Sequence, residues 1–171
     1  GTLDPAASGV LPILLGRATR LQDFLLELPK TYEFDIGFGS DAAALDQEGI
    51  VVREAPAEHI TSEQLATAIR NFIGEFEQTP PIYSAVKYKG KPLYDYAREG
   101  AAAAQEVPLE ALKRRVRVSQ FELLDFQPGK GSFRLTCSKG TYVRSLVKDV
   151  AEKIGSCGTL TRLVRTKAAG I

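Results

Sequence analysis

The chain has 171 residues, of which 44 % are hydrophobic, enough for one compact domain with a real core, and no run approaches the roughly 20 apolar residues that span a bilayer. Its net charge is +1, and its one histidine (His59) and two cysteines (Cys137, Cys157) have no metal-ligand spacing, so a zinc site or a histidine triad is excluded within these residues. The charge is uneven: residues 1–78 carry 5 Lys/Arg against 13 Asp/Glu, residues 79–171 carry 17 against 8. A basic half suits a phosphate-bearing polymer, and it equally suits a fold that mixes both halves over one surface.

In chain order, "GTLDPAASGVL" is a tight loop presenting Asp4, with Pro5 pushing the acid toward an extended conformation. "GRATRLQDFLLELP" carries a helical stripe of Leu21, Phe24, Leu25 and Leu28 that stops at Pro29. "KTYEFDIGFG" alternates Tyr32, Phe34, Ile36 and Phe38 with polar residues and predicts a half-buried strand. An acidic loop over "SDAAALDQEG" leads to a short strand, "IVVRE". "TSEQLATAIRNFIGEF" predicts a helix with a Thr61/Gln64 capping box and Leu65, Ile69, Phe72 and Ile73 on one face.

"QTPPIYSAVKYKGKPLYDYAREG" sets Lys87, Lys89, Lys91 and Arg98 among Tyr83, Tyr88, Tyr94 and Tyr96. Cations for phosphates and aromatic faces for splayed bases fit RNA, and a solvated hairpin with an amphipathic helix fits as well. A mobile alanine-rich loop at Ala101–Ala104 precedes two strands, "RRVRVSQFELLDF" and "SFRLTCS". "KGTY" turns into a helix with Val143, Leu146, Val147, Val150 and Ile154 inside, and "LTRLVRT" is a last strand. The irregular interleaving predicts an α+β domain, a mixed and largely antiparallel sheet flanked by helices, without repeats or linkers. The cysteines read as reduced, partly buried thiols of a cytoplasmic protein.

Two acid–base candidates stand out. Asp4 is either an acid held on a rigid loop for chemistry or a turn aspartate. Arg144, with Tyr142 at the same strand-to-helix junction, is either the cation that keeps such an acid ionised or an ordinary surface charge.

"GTLDPAASGVLPILLGRATR", "PKTYEF", "PPIYSAVKYKGKPLYDYAREG", "CSKGTYVRSL" and "LTRLVRT" resemble, in order and at compatible spacing, the motifs of the TruB-type tRNA pseudouridine synthases of bacteria. The resemblance implies the pseudouridine synthase fold and a reaction that isomerises the T-loop uridine of tRNA (position 55) to pseudouridine, with no metal and no cofactor. Asp4 matches the essential aspartate, Arg144 the arginine paired with it, and Tyr32 the tyrosine that stacks on the target base. Tyr142 and Leu163 match walls of the uracil pocket. Tyr83, Lys87 and Lys91 fall in a segment that approaches the RNA.

It further implies a single catalytic domain over 1–171, truncated ahead of Gly1, with an RNA-contacting insertion around 79–110 and without a C-terminal PUA-type domain. The partner is the T-arm of tRNA, with no membrane and no protein partner required, and a monomer is expected. The chain departs from the family pattern at Ala42–Ala44, where the family carries T-D-T. Two alternatives stay open: a non-catalytic tRNA-binding or folding module on the same fold, and a relative that acts on guide-RNA-selected uridines.

Overall fold

The computed structural model describes residues 2–42 and 51–171. Along the chain its strands are β1 (Ser8–Gly9), β2 (Lys30–Phe38), β3 (Ser40–Ala42), β4 (Val51–Glu54), β5 (Gly74–Gln78), β6 (Lys87–Tyr88), β7 (Lys91–Pro92), β8 (Arg114–Gln127), β9 (Lys130–Cys137) and β10 (Gly158–Lys167). The helices are α1 (Gln22–Glu27), α2 (Ser62–Arg70), α3 (Leu93–Arg98), α4 (Ala101–Gln105) and α5 (Val143–Lys153), with 3-10 turns at Gly16–Leu21 and Leu109–Leu112. Six strands form one sheet in the order β1-β10-β2-β9-β8-β5, parallel only between β1 and β10. β3–β4 and β6–β7 are separate two-stranded ribbons. The expected mixed, largely antiparallel α+β architecture is the one found.

Alternation along β2 decides the layers. Phe34 and Ile36 are fully buried and meet Phe133 and Leu135 of β9, Leu65 and Ile69 of α2, and Leu146, Val147 and Val150 of α5. Phe34, Phe121 and Phe133 form an aromatic trio with centroids 5.4–6.1 Å apart. Each such side chain contributes about 1.5–3 kcal/mol of transfer free energy. On the opposite face Glu33 pairs with Arg134 at 2.9 Å and Asp35 with Arg162 at 3.0 Å.

Three expectations need correction. The helix of 61–76 ends at Arg70, because Gly74 takes φ +108° and releases the chain into β5; Phe72 still packs on the core, but Ile73 is exposed. Ala101–Ala104 is not a loop but most of α4, as the strongest helix formers favour. The stripe at 21–28 forms a shorter α-helix, with Phe24 exposed on its outer side and Leu21 exposed at the end of the preceding 3-10 turn. The capping box at Thr61 and Gln64 forms as expected, with both reciprocal hydrogen bonds present. Cys137 and Cys157 are free and buried. Of the Ala42–Ala44 departure, only the backbone of Ala42 falls within the described residues.

Candidate active site

The Asp4 loop is a four-residue turn: the Asp4 carbonyl accepts from the Ala7 N–H at 2.9 Å, with Pro5 in the second position that its fixed φ suits. Ser8 and Gly9 then pair with Val164 and Arg165 of β10, and the Val10 N–H donates to the Arg165 carbonyl at 2.8 Å. Only glycine fits at position 9. Its φ is +114°, and a Cβ there would sit 2.1 Å from the Arg165 carbonyl oxygen. The acid is therefore carried on a loop fixed to the sheet.

Arg144 arrives from the other side, in the first turn of α5. Thr141 Oγ1 donates to the Ser138 carbonyl at 2.9 Å and fixes the preceding turn. Gln78, only 2 % exposed at the end of β5, then clamps Tyr142: the Tyr142 N–H donates to Oε1 at 2.8 Å, and Nε2 donates to the Tyr142 carbonyl at 3.0 Å. Ser145 Oγ donates to the Thr79 carbonyl at 2.7 Å. These bonds set the start of α5, which has no side-chain cap of its own.

From there Arg144 Nε reaches 3.1 Å from Asp4 Oδ2. The contact is an ion pair rather than an aligned hydrogen bond, and the buried Nε has no other partner. A cation in the first turn of a helix opposes the helix dipole by about 0.3–1 kcal/mol, and the Asp4 carboxylate offsets that cost. Asp4 keeps 38 % of its side chain open and Arg144 17 %, so the acid faces outward and the cation backs it.

The pair opens into a cavity of about 610 Å³ whose walls include Tyr32, Tyr83, Tyr142 and Leu163. Burial raises the Tyr32 phenol above its ordinary value, and the nearby Arg165 guanidinium opposes the rise. The ring is thus a neutral phenol near neutral pH. Six of the sequence-derived candidates, Asp4, Arg144, Tyr32, Tyr142, Leu163 and Tyr83, meet at this one cavity. Lys87 and Lys91 do not line it. They lie on the β6–β7 hairpin, where Lys91 pairs with Glu99 and sits over the Tyr96 ring at 4.6 Å.

Sequence reasoning missed Gln78 and Arg165, and it did not place Ser84, Tyr94 and Arg98 on the cavity wall. Tyr94 and Arg98 stack at 5.2 Å. Among the described residues no group of three or more His, Cys, Asp or Glu side chains could hold a metal ion. His59 bonds the Ile154 carbonyl at 2.8 Å.

The family model described as "TruB family pseudouridylate synthase (N terminal domain)" matches residues 1–143. The chain is 44 % identical over 168 residues to tRNA pseudouridine synthase B of Caldanaerobacter subterraneus subsp. tengcongensis, covering 98 % of this chain and 57 % of that one. It is 45 % identical to the protein of the same name from Chromobacterium violaceum, covering 99 % and 53 %. The chain thus spans just over half the length of these relatives. Among solved structures it resembles a chain of a Cbf5-Nop10-Gar1 complex, with TM-score 0.68 and 27 % identity over 98 % of this chain and 39 % of that one. A chain of an H/ACA RNP bound to a substrate RNA containing 2'-deoxyuridine shares the fold, with TM-score 0.66 and 23 % identity over 99 % of this chain and 37 % of that one.

Proposed function

This chain belongs to the TruB family of pseudouridylate synthases, and from that membership and the geometry of its cavity we propose that it isomerises the T-loop uridine (position 55) of tRNA to pseudouridine, with Asp4 as the reacting carboxylate. The observation that carries the reading is the Asp4–Arg144 pair at 3.1 Å in a cavity walled by Tyr32, Tyr142 and Leu163. Among the described residues no other acid lines that cavity.

The target base must leave its stack to reach Asp4, and a pocket with an aromatic face offsets part of that cost. Tyr32 stacks on the flipped uracil, and Leu163 and Tyr142 enclose it. Arg144 holds Asp4 aimed, with Nε 3.1 Å from Oδ2. In one route the carboxylate attacks C1′: the C1′–O bond forms as C1′–N1 breaks. The freed uracil turns, C5 takes C1′, the ester oxygen leaves, and the C5 proton departs last. In the other, Asp4 removes the C2′ proton as C1′–N1 breaks, and returns it when C5 bonds C1′. Because the Tyr32 phenol is held above its ordinary value, any part it plays in removing the C5 proton is concerted with loss of its own proton. Tyr83 and the lysines of the β6–β7 hairpin contact the RNA around the target, within an insertion around 79–110. The enzyme works in the cytoplasm as a monomer, on tRNA alone and without a guide RNA.

The test uses the full-length protein and an unmodified tRNA transcript, with pseudouridine mapped by carbodiimide modification and primer extension. A stop at the T-loop uridine that vanishes in Asp4→Asn is expected. Tight tRNA binding by both proteins with no stop in either would leave only the non-catalytic RNA-binding reading.

A further inference from the structure

Arg165 of β10 is 2 % exposed, and its side chain serves both halves of the site. Nε donates to the Val10 carbonyl at 2.9 Å and Nη1 to the Thr2 carbonyl at 3.3 Å, so one guanidinium holds the chain before and after Asp4. Arg165 stands directly across the β10–β2 ladder from Tyr32, and both residues line the cavity that Asp4 opens into. Leu163, two residues earlier on the same strand, is likewise buried and lines the cavity.

We infer that Arg165 is a positioning residue, which fixes the Asp4 loop against β10 on both sides of the acid and so sets the rate of the chemical step without contributing to RNA affinity. The inference rests on the uridine-isomerising reading above. Burying a cation is expensive, so its acceptors are structural requirements, and here two of them are main-chain carbonyls flanking the reacting acid. Only the planar fork of arginine reaches both carbonyls at once; a lysine ammonium keeps the charge but is a single point. A displacement of about 1 Å in a reacting group costs on the order of 100-fold in rate. The backbone contacts of Gly9 and Val10 hold the loop's end, while Thr2, on the far side of Asp4, is tied to β10 by this side chain.

The experiment compares full-length wild type, Asp4→Asn, Arg165→Lys and Arg165→Gln for single-turnover pseudouridine formation, tRNA Kd and thermal unfolding. Arg165→Lys is expected to turn over at least tenfold more slowly with Kd within twofold of wild type, at a temperature where it is fully folded. A wild-type rate in folded Arg165→Lys overturns the inference. So does a Kd that weakens in step with the rate, or a rate loss that matches the unfolded fraction. Should Arg165→Lys not fold, Arg165→Gln decides: its amide buries no charge and reaches only one of the two carbonyls, and a rate at least tenfold lower at unchanged Kd is expected, whereas a wild-type rate overturns the inference. Absence of product in wild type would instead sink the parent reading, which the Asp4→Asn arm tests separately.

Discussion

Replacing Gln78 by glutamate keeps the side chain's shape and removes one donor. The carboxylate still accepts from the Tyr142 N–H, but its second oxygen then faces the Tyr142 carbonyl across a gap now spanned by a 3.0 Å hydrogen bond. The lost bond is worth about 1 kcal/mol. Burial of a carboxylate at a site 2 % exposed raises its pKa; a rise of roughly 3 units corresponds to about 4 kcal/mol at pH above the new value. The positive end of α5 favours the charge, but by at most about 2 kcal/mol. Burial wins, and the net penalty at pH 8 is about 3 kcal/mol.

The sign of the pH dependence follows from the raised folded value. Between the unfolded pKa of about 4.3 and the higher folded one, the folded state holds a proton that the unfolded state lacks, so stability is regained as pH falls. Once protonated, the carboxyl donates to the Tyr142 carbonyl and the original pattern returns. Urea unfolding of wild type and Gln78→Glu at pH 8 and pH 5 should show a deficit at least about 2 kcal/mol smaller at pH 5. An equal deficit at both pH values would refute the clamp. Because Arg144 stands in the turn that the clamp fixes, the single-turnover rate of the variant at pH 8 should also fall at least tenfold.

Gly9→Ala forces the Asp4 loop off β10, since its Cβ would lie 2.1 Å from the Arg165 oxygen; activity should fall at least 100-fold, and a variant within fivefold of wild type would show that the loop's attachment does not matter. Burial alone would raise Asp35, but hydrogen bonds from Arg162 and Ser132, with the charges of Arg162 and Lys130, hold it below the ordinary carboxylate value. Its contribution is therefore present above the unfolded pKa and lost as pH falls through the folded value. Arg162→Gln should cost about 1–3 kcal/mol at pH 7 and move the acid-unfolding midpoint to higher pH; circular dichroism would refute this by an unmoved midpoint. Thr61→Ala removes one arm of the capping box and should cost about 1 kcal/mol by urea unfolding, with no change in tRNA turnover.

Much of the fold could be read because its elements obey one period each. The alternation of Tyr32, Phe34, Ile36 and Phe38 is the inner face of β2, and Val143, Leu146, Val147 and Val150 are the buried side of α5. The helix predicted over 61–76 overruns the one found because Phe72 does pack on the core, and the periodicity alone does not show that Gly74 turns the chain into a strand. Asp4 and Arg144 were legible as chemistry-bearing residues at turns. Their pairing was not, since 140 residues of chain separate them and the contact depends on how β10 and α5 pack.

Arg165 shows why the supporting side chains escape such a reading. Strict alternation from buried Leu160 would turn position 162 inward and position 165 outward. The β10–β2 register instead shifts between Leu160 and Arg162, and the side chains from Arg162 to Arg165 change face before a second shift at Arg165/Lys167. Arg162 therefore points to Asp35 on the polar face, while Leu163 and Arg165 turn toward the cavity. One inserted residue exchanges the roles of two arginines three positions apart: the first becomes a surface ion pair, the second a buried brace for the Asp4 loop. In "LTRLVRT" the two are chemically identical, and only the bulge decides which of them stands behind the site.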